Sequence, residues 1–302
     1  MLFLMVILIH IFWKDISTLI IVTLKDVERA KLSYVLLALS LYIISVFISS
    51  FRWKVILDSL GYSIRVGSLV PVIFGSIAVS NLTPANRMGG EPLRIVWAKE
   101  QFGVRLPHAL ISILYERFVE AIPIAILSLY ALYVILPFFN GNFHPLKIII
   151  YGILVLIMLF TTYYLIKTRF SSIIKRFSMY PEMLRKAFVP TLLFSSSVWI
   201  LDIFRLKIVS LALGLHISLG IIIVLSVLSL FLGLLPLTPG GLGIVDGGLV
   251  SALVLFQIPL GEAIGMVAVE RFISYGVSTF IGLLCLIYFG GLKIWRGTEL
   301  HL

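Results

Sequence analysis

The sequence predicts an all-α integral membrane protein. It is a polytopic helical bundle of about six spans plus two re-entrant hairpins, arranged as an inverted internal repeat. Three observations carry this. Of 302 residues, 60% are hydrophobic and 13% charged, against about 25% charged in a soluble domain, and mean hydropathy is +1.12. Two polar stretches of one design break the apolar runs: Leu82-Thr83-Pro84, with Glu91 seven residues past the proline, and Leu237-Thr238-Pro239, with Asp246 seven past. Two further anchors recur in order, Phe51-Arg52-Trp53-Lys54 as Phe204-Arg205-Leu206-Lys207 and Glu116-Arg117-Phe118 as Glu270-Arg271-Phe272, so three offsets fall at 153, 155 and 154.

No charged or Pro/Gly/Ser-rich linker separates a soluble domain, so residues 1–302 read as one integral-membrane domain. The net charge of +10 sits in short loops between apolar runs. That pattern fits contact with anionic lipid headgroups and not with nucleic acid. The single cysteine, Cys285, excludes a disulfide framework. The five histidines are scattered without metal-ligand spacing, so no metal and no cofactor is expected.

Taken in order, Met1–Trp13 is apolar but short of the roughly 20 residues a span needs. It reads as a marginal span or the end of one beginning upstream, with no basic region or cleavage site to make it a signal peptide. Ile16–Leu24 reads as an interfacial stretch. Leu32–Phe51 is a span, closed by Arg52-Trp53-Lys54 as a basic and aromatic headgroup anchor. Val66–Lys99 reads as a re-entrant hairpin, because Arg94, Lys99 and Glu100 keep its return arm from crossing. Ala109–Phe138 and Leu146–Ile166 span. Lys167, Arg169, Lys175, Arg176, Arg185 and Lys186, against the one acid Glu182, mark the cytoplasmic side. Ala187–Leu213 spans, with Arg205 and Lys207 again read as anchors. Ser218–Leu235 is a second hairpin arm broken at Pro236, and Leu249–Pro259 is its return. Ala263–Phe289 is the last span, which puts the C-terminus in the cytoplasm of a plasma-membrane protein.

Parity sets orientation. A re-entrant hairpin adds no crossing, so repeat 1 (about 32–138) and repeat 2 (about 187–289) each cross twice, and the 146–166 linker crosses once. The second repeat is thereby inverted. Inverted repeats with broken helices near the midplane are a transporter signature.

A lipid-facing, unpaired charge at the bilayer centre costs about 2.5–3.5 kcal/mol on insertion scales. Arg87, Glu91, Arg94, Glu116, Arg117, Glu120, Asp246, Glu270 and Arg271 must therefore face one another or a cavity. Glu116 and Glu120 are four apart and share a helix face, whose nearest partners are Arg87 or Arg94. By symmetry Glu270 looks toward the second hairpin. Gly89-Gly90, Gly240-Gly241 and Gly243 permit positive φ and close backbone approach, and Pro84 and Pro239 stop helices at the tips. Two readings stand: fixed ion pairs pinning hairpin to helix, or arginines that bind a phosphate headgroup with help from free amides.

Enzyme motifs are absent: no Gly-x-Ser-x-Gly, His-Glu-x-x-His, P-loop or aspartate-rich prenyl-diphosphate motif occurs, and no second aspartate completes a protease dyad with Asp246. No catalytic residue is assigned.

Arg52-Trp53-Lys54, Asn81-Leu82-Thr83-Pro84 through Arg87, Gly89-Gly90-Glu91 and Arg94, then Glu116-Arg117, Pro239 to Asp246 and Glu270-Arg271, resemble the transmembrane family named for lysylphosphatidylglycerol synthase, often called flippase-like. It includes the membrane part of the bacterial multiple peptide resistance factor and the membrane half of some archaeal dolichol-phosphate glycosyltransferases. The likeness covers nearly the whole chain and departs mildly at Gly89-Gly90-Glu91 and at Asp246, where glutamate is common. It implies a lipid-handling protein that moves an anionic phospholipid or polyprenyl-phosphate lipid between leaflets. With no synthase or glycosyltransferase domain in the chain, lipid synthesis is not implied.

The expected headgroup site is Asn81, Thr83, Arg87, Gly90, Glu91, Arg94, Glu116, Arg117, Gly240, Gly241, Gly243, Asp246, Glu270 and Arg271. The rival reading is a non-catalytic membrane partner of a separate glycosyltransferase or lipid-modifying enzyme. A third, an intramembrane enzyme acting on polyprenyl phosphates, lacks a nucleophile.

Overall fold

A computed structural model describes residues 30–84, 89–139, 181–235 and 238–290. Arg87, the 146–166 span, Met1–Trp13, Ile16–Leu24 and most of the basic 167–186 loop lie outside the described residues. Those described are helical, with no strand among them.

The elements are α1 (Leu32–Ser59), α2 (Val66–Leu82), α3 (Glu91–Phe102), α4 (Leu106–Ile135), α5 (Pro181–Ala212), α6 (Leu219–Gly233), α7 (Ile244–Leu255), α8 (Leu260–Arg271) and α9 (Ser278–Tyr288). A 3₁₀ turn, Pro239–Gly241, precedes α7, and a π turn, Phe272–Val277, joins α8 to α9 into one long helix. Each half runs long helix, two short helices, long helix.

Four helices are long and apolar enough to cross a membrane: Leu32–Ser59, Leu106–Ile135, Arg185–Ala212 and Leu260–Tyr288. They coincide with four of the expected spans. The hairpin arms are shorter. At 1.5 Å per residue, the 17 residues of α2 reach about 25 Å and the 15 of α6 about 22 Å, less than a hydrocarbon core of about 30 Å.

Local sequence explains the ends. Thr83-Pro84 stops α2, since the residue before proline is held extended (Thr83 ψ 150°). Pro92 starts α3 near its N-terminus, and Gly103 ends it in the left-handed region (φ 64°). Ser218 caps α6 by accepting from the Ile221 amide. α7 begins at Ile244, five residues earlier than the expected return arm at Leu249. Gly243 (φ 82°) turns the chain there, and the Asp246 carboxylate accepts from the Gly243 amide at 2.8 Å.

The halves interlock. α1 lies along α5, α2 packs on α9, and α6 packs on α4, so each hairpin's first helix rests on the last long helix of the other half. Between α2 and α9 the backbones nearly touch, for a Cβ on Gly282 would collide with the Phe74 carbonyl and with Ala78. Small residues let membrane helices approach this closely. One apolar core joins α5 to α8 through Leu225, Leu253, Met266 and Ile273, and another joins α1, α2, α3 and α9 through Trp53, Leu69, Trp97 and Leu286. Phe118, Leu129, Leu193, Phe272 and Phe280 point outward and exposed, whereas Arg52, Arg94, Glu116, Arg205 and Glu270 are buried. Apolar outside and charged inside is the arrangement a lipid solvent selects.

Candidate functional site

The buried charges form two clusters around one cavity of about 320 Å³, bounded by α1 to α8 and the π turn. In the first, Glu116 of α4 is held by two arginines. Arg52 Nη2 donates to Oε1 at 2.5 Å, and Arg94 Nη2 donates to Oε2 at 2.6 Å. Arg94 also stacks over Trp53, with Cζ 4.4 Å from the ring centre. Arg117 Nε donates to Glu91 Oε1 at 2.7 Å, and Nη1 donates to Glu120 Oε2 at 2.8 Å. Glu120 Oε1 lies 3.6 Å from Arg52 Nη1.

In the second cluster Arg205 of α5 serves two carboxylates. Nη1 donates to Glu270 Oε1 at 2.6 Å and Nη2 to Asp202 Oδ1 at 2.5 Å. Arg271 Nε donates to Asp246 Oδ1, and its Nη1 donates to the Gly240 carbonyl at 3.2 Å. Glu91–Arg117 and Asp246–Arg271 are the matching ties between each return arm and its long helix.

The hairpin tips touch. The Gly240 amide donates to the Thr83 carbonyl at 3.4 Å. Asn81 Nδ2 donates to Ser278 Oγ at 3.0 Å and Thr279 Oγ1 at 2.9 Å, and Tyr275 Oη donates to the Asn81 carbonyl at 3.2 Å. Gly240 (φ 59°) has no room for a Cβ between the Tyr275 ring and the Asn81 carbonyl. A Cβ on Gly90 would strike the Ser76 carbonyl, and the Gly90 amide donates to Ser80 Oγ at 2.9 Å.

Some buried polar atoms find no partner among the described residues: the donors Arg52 Nε, Arg94 Nε and Arg271 Nη2, and the acceptor Glu270 Oε2. A buried polar group without a partner is uncommon and calls for water or a ligand. Serines complete the lining, among them Ser45, Ser49, Ser76, Ser229 and Ser274. Val46, Ile73, Ile77, Val198, Leu206 and Leu249 stand between them, so the interior mixes charged, hydroxyl and apolar surface.

This architecture has relatives. The family described as "Lysylphosphatidylglycerol synthase TM region" matches residues 2–282. The chain belongs to this family. It is similar to a UPF0104 membrane protein of Methanothermobacter thermautotrophicus, 24% identical over 295 residues and 87% of each chain. The UPF0104 membrane protein PH1989 of Pyrococcus horikoshii is 23% identical over 91% of this chain and 92% of its own. MJ1595 of Methanocaldococcus jannaschii is 25% identical over 84% of each.

Of the residues expected to form the site in this family member, Asn81, Glu91, Arg94, Glu116, Arg117, Glu270 and Arg271 line the cavity. Thr83, Gly90, Gly240, Gly241, Gly243 and Asp246 shape the tips and return arms beside it, and Arg87 lies outside the described residues. The expected Glu116–Arg94 contact is present. Two expectations are corrected. Arg52 and Arg205 are not headgroup anchors but buried partners of Glu116 and Glu270, because each sits on the face of its helix that lines the cavity. Lys54 alone of the first trio behaves as a surface base, paired with Asp58. Glu270 faces Arg205 and not the second hairpin, whose acid Asp246 takes Arg271 instead. Glu120 meets Arg117 and Arg52 among the described residues.

Sequence reasoning missed Arg52, Arg205 and Asp202 as cavity residues. A readable signal existed. Ser45, Ser49 and Arg52 stand at i, i+4 and i+7, one helix face, and Asp202 and Arg205 share a face of α5 in the same way. Among the described residues no group of three or more His, Cys, Asp or Glu side chains is placed to hold a metal ion.

Proposed function

We propose that this multi-pass membrane protein is a lipid translocator that moves an anionic phospholipid or polyprenyl-phosphate lipid between leaflets. In this reading residues 1–302 form one domain of two inverted repeats, 32–138 and 187–289, whose short hairpins enter from opposite faces of the plasma membrane. The C-terminus is cytoplasmic. Alternating access arises when one repeat rocks against the other around the cavity. The observation that carries the proposal is the set of unused donors. Arg52 Nε, Arg94 Nε and Arg271 Nη2 are buried, lack acceptors among the described residues and belong to cavity-lining arginines. A phosphate presents several acceptor oxygens and pairs with guanidinium forks. The acyl chains would stay in the surrounding lipid while the headgroup crosses through the polar interior. Membership of a family named for the transmembrane region of lysylphosphatidylglycerol synthase supports a lipid as cargo.

The test uses protein reconstituted in phosphatidylcholine vesicles with a trace of fluorescent phosphatidylglycerol or a labelled polyprenyl phosphate. Wild-type protein is expected to bring inner-leaflet label to an external quencher, and Arg94→Gln to lose most of that rate. Movement by the wild type with full activity in a folded Arg94→Gln removes the site from the proposal. No movement of either lipid removes the translocator reading. It favours a non-catalytic partner of a glycosyltransferase or lipid-modifying enzyme, in which the ion pairs only hold the bundle together.

A further inference from the structure

The second cluster holds one more buried carboxylate than its arginine can serve. Arg205 spends Nη1 on Glu270 and Nη2 on Asp202, which leaves Oε2 of the cavity-lining Glu270 buried and without a charged partner among the described residues, with the Ser274 side chain within hydrogen-bonding reach of the carboxylate. Glu270 is 7% exposed. The groups facing it come from three elements. Asp202 and Arg205 stand on α5, Tyr42 on α1, and Ser274 one turn further along its own helix. Arg271 next to it is turned away to Asp246 of α7. Across the cavity Glu116 and Glu120 are already matched by Arg52, Arg94 and Arg117. Among the described residues none of the free guanidinium donors of Arg52, Arg94 and Arg271 bonds the orphaned oxygen.

We infer that Glu270 Oε2 is a proton-binding site of the cavity, with Asp202 as the neighbouring carboxylate that favours its loading. The step is a simple one. A proton from cavity water bonds to Oε2, the carboxylate becomes a neutral acid, and the Asp202–Arg205–Glu270 group passes from net −1 to neutral. The new O–H supplies a donor where the charged form has an unmatched acceptor, and moving a neutral group through the interior costs far less than moving an ion. A metal cation is a poor occupant, since the guanidinium 2.6 Å from Oε1 repels it, whereas a proton is absorbed into the acid itself. In the translocator reading, on which this coupling rests, a bound anionic headgroup and the proton cancel, so the loaded cavity carries no added charge.

The experiment is infrared difference spectroscopy on the full chain in phosphatidylcholine vesicles, with no lipid substrate added. The expected result is a carboxylic-acid C=O band that fades as pH rises and shifts in D2O. Glu270→Gln removes it. Asp202→Asn keeps it but moves its midpoint about one unit or more toward lower pH, since a like charge has gone. A band that survives in Glu270→Gln, that is lost in Asp202→Asn, or whose midpoint Asp202→Asn leaves in place overturns the site. Should Glu270→Gln fail to fold, the Asp202→Asn midpoint decides alone. A pH gradient is then imposed on the vesicle assay. Wild-type lipid movement indifferent to it overturns the coupling, while an intact band with no lipid movement at all keeps the proton site and sinks the translocator reading.

Discussion

In the first half one carboxylate, Glu116, is shared by two guanidiniums; in the second half one guanidinium, Arg205, is shared by two carboxylates. The positions correspond. Arg94 stands three residues past Glu91, and Leu249 three past Asp246. Glu120 stands four past Glu116, and Ser274 four past Glu270. Ser49 precedes Arg52 by three, and Asp202 precedes Arg205 by three. Three paired substitutions thus turn a locked, charge-matched cluster into an acid-rich one while the framework of Arg52/Arg205, Glu116/Glu270, Arg117/Arg271 and Glu91/Asp246 stays the same. The lesson is that two matching halves need not do matching work. One can be fixed while the other exchanges what it holds.

The largest effect that tests this contrast is Glu116→Gln. It leaves Arg94 in the interior without its carboxylate and Arg52 with only the more distant Glu120, and breaking a buried pair costs about 3–5 kcal/mol, which thermal unfolding in detergent would show as a large drop. A drop no greater than that of Glu270→Gln would end the distinction between a locked and a loose cluster. Arg94→Leu copies the second half into the first. Glu116 keeps Arg52 but loses a charge-assisted hydrogen bond, a loss of about 1.5–3 kcal/mol by the same melt. Glu270→Gln should cost about 1 kcal/mol, since Arg205 retains Asp202 and the amide oxygen can still accept. Smallest is Asp202→Ser, which copies the first half into the second. Arg205 keeps Glu270, the half-buried Asp202 loses little, and stability should stay within about 0.5 kcal/mol.

Much of the bundle was readable because its signals are local. Long apolar runs gave four helices of spanning length, the Thr83-Pro84 pair ended the first short arm, and the acid seven residues past each tip proline lies in the first turn of a helix and is tied to an arginine. Glu116 and Glu120 on one face also announced a buried acidic stripe. What failed was direction. Phe51-Arg52-Trp53-Lys54 has the composition of a membrane surface anchor, yet α1 runs on to Ser59, with Trp53 bonded to Ser112 at 3.0 Å and Arg52 to Glu116. Composition marks a helix end only when nothing inside the fold can pair with the charge. That depends on a helix 64 residues away in sequence. The pairing of Glu270 with Arg205 escaped for the same reason, since likeness of sequence between halves does not carry likeness of partner.

The π turn at Phe272–Val277 begins at the residue after Arg271 and bears Tyr275, with Ser278 and Thr279 just beyond it. Rewinding a widened turn to ordinary pitch moves all that follows by about one residue, or about 100° around the axis. Tyr275, Ser278 and Thr279 would swing off Asn81 together, and the first hairpin would lose its hold on the far helix. The clasp between the first tip and the far helix is therefore a matter of winding: a local change of pitch beside Glu270 is enough to undo it without breaking a single salt bridge.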